Sequence, residues 1–215
     1  MDQLEPGSPF YNIPMAVRLT GNLDVSILEQ SLNEIIRRHE TLRTNFSSED
    51  GQSVQIISLD GSINLSVINL QYITENAREI EAQRLIEMEA RLPFNLSKGP
   101  LIRVKLLKLN NDDHIILLTT HHIISDGWSM SVLVRELAIL YDAFLAKRPS
   151  PLPELPIQYA DYAVWQRDRL KDGLLEAQVN YWKNQLWGEL PILKLPSDRP
   201  RPTIQSFHGA SCSIK

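Results

Sequence analysis

Apolar residues change their spacing several times along this chain, and each change marks an element. Residues 13–19, IPMAVRL, read as a first strand. Residues 21–46 then carry helical periodicity, with Leu28, Leu32, Ile35, Ile36 and His39 on one face and Asp24 where an N-cap belongs. SVQIIS and INLSVINL read as strands bounded by the turn-forming SEDGQ and DGS. Residues 74–92 read as a second amphipathic helix, capped by Thr74, with Ala77, Ile80, Leu85, Met88 and Leu92 along its stripe. PLIRVKLLKL, NNDD and HIILLTTHH make the clearest hairpin in the chain. Residues 129–147 give a third helix, capped by Ser129, with Val132, Leu133, Leu137, Leu140, Tyr141 and Phe144 inward.

After Lys147 the composition shifts. RPSPLPELPIQ is a proline-rich crossing segment, followed by helix-like YADYAVWQRDRL and LLEAQVNYWKNQLWGEL, and the last residues turn strand-like. This divides the chain into residues 1–148 and 149–215. Strands mixed with helices imply an α/β fold, a mixed sheet with helices packed on it. The 215 residues are 43% hydrophobic and 22% charged, a globular balance. A net charge of −4 gives no basic footprint for nucleic acid. The apolar runs are too short to span a bilayer, and the acidic MDQLEPGSPF start is unlike a signal peptide. Cys212, the only cysteine, allows neither an intrachain disulfide nor a thiolate zinc site. These features predict a soluble cytoplasmic protein.

The chemistry concentrates in residues 118–131, LTTHHIISDGWSMS. Side chains alternate along a strand, so His121 and His122 point to opposite faces unless the strand ends at His121. Adjacent strand histidines grip a single metal ion poorly, and no His/carboxylate set has helical ligand spacing, so no metal is expected. Two readings remain open for the pair: buried histidines bonded to backbone, or an imidazole presented at a strand end as a general base. Asp126 can turn back to hold the loop, Gly127 permits backbone closed to other residues, and Ser129 can cap the helix that follows.

HHIISDGWS resembles the HHxxxDG signature of the condensation domains of nonribosomal peptide synthetases. RHETLRTNF (38–46) is similar to that family's RHExLRTxF motif and YADYAVWQ (159–166) to its YxDFAVW motif. LKLPSDRPRPTIQSFHGA (193–210) resembles the segment leading to its second half. The opening RLWFL-like motif and the VGxFVNT-like motif of the second lobe are absent. The resemblance therefore implies the N-terminal lobe of a chloramphenicol-acetyltransferase-like fold plus the crossover, truncated at both ends. The reaction implied is amide-bond formation between a donor acyl or aminoacyl thioester and an acceptor amine, both on phosphopantetheine arms of carrier domains, with no bound cofactor. The partners implied are donor and acceptor carrier domains, adjacent synthetase domains and the missing C-terminal lobe, without which the chain is expected to be inactive.

His122 matches the family's catalytic position, as base or as positioning group. His121, Asp126 and Gly127 match structural positions, and Asp126 is expected to pair with Arg38 or Arg43; Asp126→Ala should then harm folding more than chemistry. Tyr159, Tyr162 and Trp165 are assigned to core and inter-lobe packing rather than substrate contact, and Trp182 and Trp187 to packing. Cyclisation domains carry Asp in place of the first histidines, and epimerisation domains usually differ after the Asp, so both fit less well. A stand-alone acyltransferase of the same superfamily, or a non-catalytic lobe serving as an interaction fragment, are the competing readings.

Overall fold

The computed structural model of the chain describes residues 7–171, 173–193, 196 and 198–200. The strand-like tail and Cys212 lie outside the described residues. A sheet of order β1-β6-β5-β4 is formed by β1 (Asn12–Thr20), β4 (Ser66–Asn69), β5 (Ile102–Lys108) and β6 (Asp113–His121). β6 lies antiparallel to both β1 and β5, while β4 runs parallel to β5, so the sheet is mixed.

β6 explains the three-layer build. Ile116 and Leu118 join one core, with α1 (Val25–Arg38) and α3 (Gly127–Leu145), and Ile115 and Leu117 join the other, under α2 (Glu75–Arg91). A strand buried on both faces reads as an unbroken apolar run, as HIILL does. On the first face Leu28, Leu32, Ile35 and Ile36 of α1 meet Leu133 and Leu140 of α3. Asp24 caps α1, accepting from the Ser26 and Ile27 amides at 3.0 and 3.1 Å.

Several expectations need correcting. The helical reading of 21–46 stops at Arg38; a 3-10 turn, Glu40–Arg43, then leads into β2 (Thr44–Glu49), which pairs with β3 (Gln52–Ile57). Asp50 and Gly51 join them with φ of 49° and 76°, the conformation a two-residue hairpin of matching twist requires. INLSVINL is extended strand only over Ser66–Asn69. Thr74 makes no side-chain cap bond, and α2 is rotated from its expected stripe. Ala82, Leu85 and Glu89 face inward, whereas Ala77, Ile80, Met88 and Leu92 are exposed. The rotation has a chemical cause, since the sheet face beneath α2 carries Arg18, Arg103 and Lys105. Glu79 meets Arg18, and Glu89 meets both Arg103 and Lys105.

The chain divides into two compact units, Met1–Tyr162 and Ala163–Lys215. α4 spans Tyr159–Lys171 and α5 spans Leu174–Gln185. Tyr159, Tyr162, Trp165, Trp182 and Trp187 are not core residues within this chain, each keeping more than 40% of its surface. No helix among the described residues is long and apolar enough to cross a membrane.

Candidate active site

β6 ends at His121, and the alternation ends with it. His121 is buried, His122 is the first residue of the turn and exposed, and both line one cavity of about 1020 Å³. The remaining wall comes from Tyr11, from Phe46, Ser47 and Ser48 of β2, and from residues 93–97, which follow α2. The Phe46 amide donates to Leu96 O at 2.8 Å, joining these last two parts of the wall.

The turn is tied through three successive amides and one carbonyl. The His122 amide donates to Tyr11 O at 2.8 Å, and the Ile124 amide to His121 O at 3.0 Å. The Ile123 amide donates to His121 Nδ1 at 3.0 Å, which assigns the lone pair to that nitrogen and the ring proton to Nε2. Ile124 is buried in the core beside α1, and its carbonyl accepts from Thr41 Oγ1 at 3.2 Å. Asn12 Nδ2 donates to Ala90 O and Leu92 O, both at 2.8 Å, so the start of β1 also fixes the end of α2. The His122 imidazole has no hydrogen-bond partner among the described residues, and His122 lines the cavity.

Asp126 is exposed and forms no pair with Arg38 or Arg43. Its carboxylate is the N-cap of α3, accepting from the Ser129 amide at 2.8 Å and the Ser129 hydroxyl at 2.6 Å. Ser129 is therefore the capped residue rather than the cap. These two bonds, the hydroxyl's foremost, hold the Asp126 carboxyl below its ordinary value. Gly127 has no left-handed backbone, and a Cβ there would meet no atom within 4 Å, so neither strain nor crowding within this chain demands glycine.

The two arginines serve elsewhere. Arg38 is 3% exposed and reaches Glu136 of α3 at 3.4 Å and the carbonyls of Leu152 and Pro153 at 3.3 and 2.6 Å. His39 Nε2 lies 2.8 Å from the same Glu136 carboxylate. Gln158 closes the stitch, donating to Arg38 O at 2.8 Å and accepting from the Glu40 amide at 3.1 Å. Burial opposes ionisation of Glu136, but the bonds from His39 and Arg38 outweigh it and keep the carboxyl below its ordinary value. Arg43 donates to Ser58 O and contacts Glu40 at 3.3 Å. RHE thus binds α1, α3 and the proline-rich segment together behind the site, without touching the cavity. Among the described residues, no group of three or more His, Cys, Asp or Glu side chains is gathered as metal ligands.

Sequence reasoning missed Glu136 and Arg103. A glutamate between the inward-facing Leu133 and Leu140 is itself a signal, because a carboxylate at such a position requires a buried cation. Arg103 and Lys105, alternating with Ile102 and Val104, likewise gave β5 a cationic face needing an acidic helix.

A mixed sheet covered by helices on both faces, with an exposed histidine at a strand end over a large cleft, is a chloramphenicol-acetyltransferase-like lobe. The condensation domain family matches residues 1–215, and the chain belongs to that family. It is 48% identical over 217 residues to one of the linear gramicidin synthase proteins of Brevibacillus parabrevis, an alignment covering 100% of this chain and 4% of that protein. It is 40% identical to phosphinothricin tripeptide synthetase PhsC of Streptomyces viridochromogenes, covering 98% of this chain and 19% of the relative. The starter condensation domain of rhizomide synthetase RzmA shares the fold at a TM-score of 0.78 and 23% identity, over 87% of this chain and 45% of that one. The X-domain in its complex with OxyB from teicoplanin biosynthesis aligns at a TM-score of 0.76 and 33% identity, over 93% and 44%. The chain thus spans less than half of these solved structures and a small part of the synthetases.

Proposed function

We propose that this chain is the histidine-bearing wall of a peptide-bond-forming condensation site. The observation that carries the proposal is His122: an exposed imidazole with no hydrogen-bond partner among the described residues, on a turn whose amides at 122–124 are bonded, lining a cavity of about 1020 Å³. The donor is an acyl or aminoacyl thioester and the acceptor an α-amine, each delivered on a phosphopantetheine arm by a carrier domain. The amine nitrogen attacks the thioester carbonyl, the C–N bond forms, the C–S bond breaks, and the thiol leaves with a proton. The free imidazole of His122 is placed to take the ammonium proton or to orient the amine. General-base assistance contributes roughly 10²–10⁴-fold, and confinement of both reactants several kcal/mol more. His121 is spent differently, because its Nδ1 already accepts from the Ile123 amide.

In this reading residues 1–148 form the lobe and 149–215 the crossover toward the opposing wall. That wall comes from the half of the fold these residues do not span, and the isolated 215 residues are inactive. Work on carrier-bound substrates places the protein in the cytoplasm. One observation favours a second reading. Identity to the X-domain, 33%, exceeds the 23% to a starter condensation domain, and the X-domain was captured in a complex with OxyB. That favours the reading of an interaction module that docks another protein.

His122→Ala separates the two readings. In the polypeptide that carries these residues, amide formation between carrier-loaded substrates should fall by about 10²-fold or more. Folding should be unchanged, since the side chain carries no hydrogen bond. Product formed at the wild-type rate by His122→Ala would refute the role given to His122, whereas a wild type that forms no amide would leave the recruitment reading standing.

A further inference from the structure

Behind the cavity, a line of contacts runs from the α2–sheet layer to the histidine pair. Glu89, buried on α2, accepts from Arg103 Nε. Arg103 lies on β5 and gathers the end of α2: its Nη2 donates to Leu92 O at 2.8 Å and Glu89 O at 3.3 Å, and its Nη1 to Pro93 O at 3.3 Å. Its guanidinium carbon lies 3.7 Å over the centroid of the Phe94 ring. Phe94 in turn sets its ring at 88° to the His121 imidazole, centroids 6.2 Å apart. On the other side Tyr11 lies 6.0 Å from the same imidazole.

We propose that Arg103 is a positioning residue of the site, acting through Phe94 to fix the ring of His121. This rests on the function proposed above and adds to it a residue that does not line the cavity. A planar guanidinium has two tasks here. Its edge collects the carbonyls that end α2 and so sets where residues 93–97 wall the cavity, and its face presses Phe94 against His121. The Nδ1 bond to the Ile123 amide needs that ring orientation, and Ile123 follows directly on His122. A shift of Phe94 is therefore passed to the turn that aims His122. Lysine cannot replace it: an ammonium supplies the charge for Glu89 but neither the flat stack nor the fork.

Two measurements test this. The 215-residue chain has five histidines, so ¹⁵N-histidine labelling gives a small set of ring signals. In the wild type, His121 should show one tautomer with unprotonated Nδ1. Arg103→Lys and Phe94→Leu should each broaden or displace the His121 ring signals, leaving His114 at the far end of β6 unchanged. In the polypeptide that carries these residues, both variants should lower kcat by roughly tenfold or more with little change in KM, the penalty of a misplaced catalytic group. Their double variant should lose no more than the worse single one, because both lie on one line. Unchanged His121 signals in both variants, or a normal ring and rate in Arg103→Lys, would overturn the proposal. Should the wild type itself form no amide, the functional reading fails while the ring signals still decide the positioning role.

Discussion

Removing the carboxylate of Glu136 should disturb the support of the site without touching the cavity. Arg38 and Glu136 have side chains only 2% and 10% exposed. Deleting one partner of such a pair strands the other charge, at a cost of about 3–5 kcal/mol. The lower end applies, because Arg38 keeps the carbonyls of Leu152 and Pro153 and its reach to Glu136 is a long 3.4 Å. About 3 kcal/mol in a chain of this length corresponds to a melting shift of ~6–12 °C. Circular dichroism melts of Glu136→Ala against wild type measure it.

The same carboxylate predicts a pH dependence. Its folded value lies below the ordinary one, so its stabilisation is complete above the unfolded value, about 4.3, and is lost as pH falls through the folded value. The gap in melting temperature between wild type and Glu136→Gln should therefore be widest near neutrality and shrink below about pH 4. Arg38→Met combined with Glu136→Leu should recover much of the loss, since apolar replacement of both partners removes the stranded charge. A Glu136→Ala melt within a degree or two of wild type would refute the claim that this cluster locks α1 to α3.

Two further outcomes follow from the site. Asp126→Ala should cost only about 1 kcal/mol, the loss of one N-cap, and Asp126→Asn should restore most of it in urea denaturation; a loss of about 3 kcal/mol or more would instead point to an ion pair at Asp126. Gly99 has a φ of +48°, and a Cβ there would lie 1.9 Å from Asn45 Oδ1. Gly99→Ala should thus destabilise by about 1–3 kcal/mol, with Asn45→Ala in the same chain relieving the collision but not the backbone strain; equal melts for Gly99→Ala and wild type would count against the close approach.

What the sequence discloses here depends on how many forces act at a position. The β5–β6 hairpin and the inward face of α1 were legible because burial alone decides them, and Asp24 caps in agreement with that face. The stripe of α2 was not. Counting apolar residues favours Ile80, Met88 and Leu92, yet charge pairing with a cationic sheet turns Glu89 inward instead. β2 was lost because TNF continues the helical spacing of α1 in letters, while the Asp50–Gly51 turn fixes it as half of a hairpin.

The motif at 121–127 shows the same division within one loop. Its position after a strand and before a helix could be read, but not the assignment of its polar groups. The family resemblance implied an arginine as the partner of Asp126, but the helix N-terminus is a competitor for the same carboxylate. Free amides of a first turn lie within the reach of Asp126 by chain connectivity alone, whereas Arg38 must come from another helix. The local bonds form, and Arg38 pairs instead with the buried carboxylate of Glu136. The consequence for the site is that the Asp126 carboxylate is bonded to Ser129 at the helix start while Arg38 is held by Glu136 and the carbonyls of Leu152 and Pro153. Among the described residues the His122 side chain is left without a hydrogen-bond partner, which is what the proposed role of proton acceptor for an incoming amine requires.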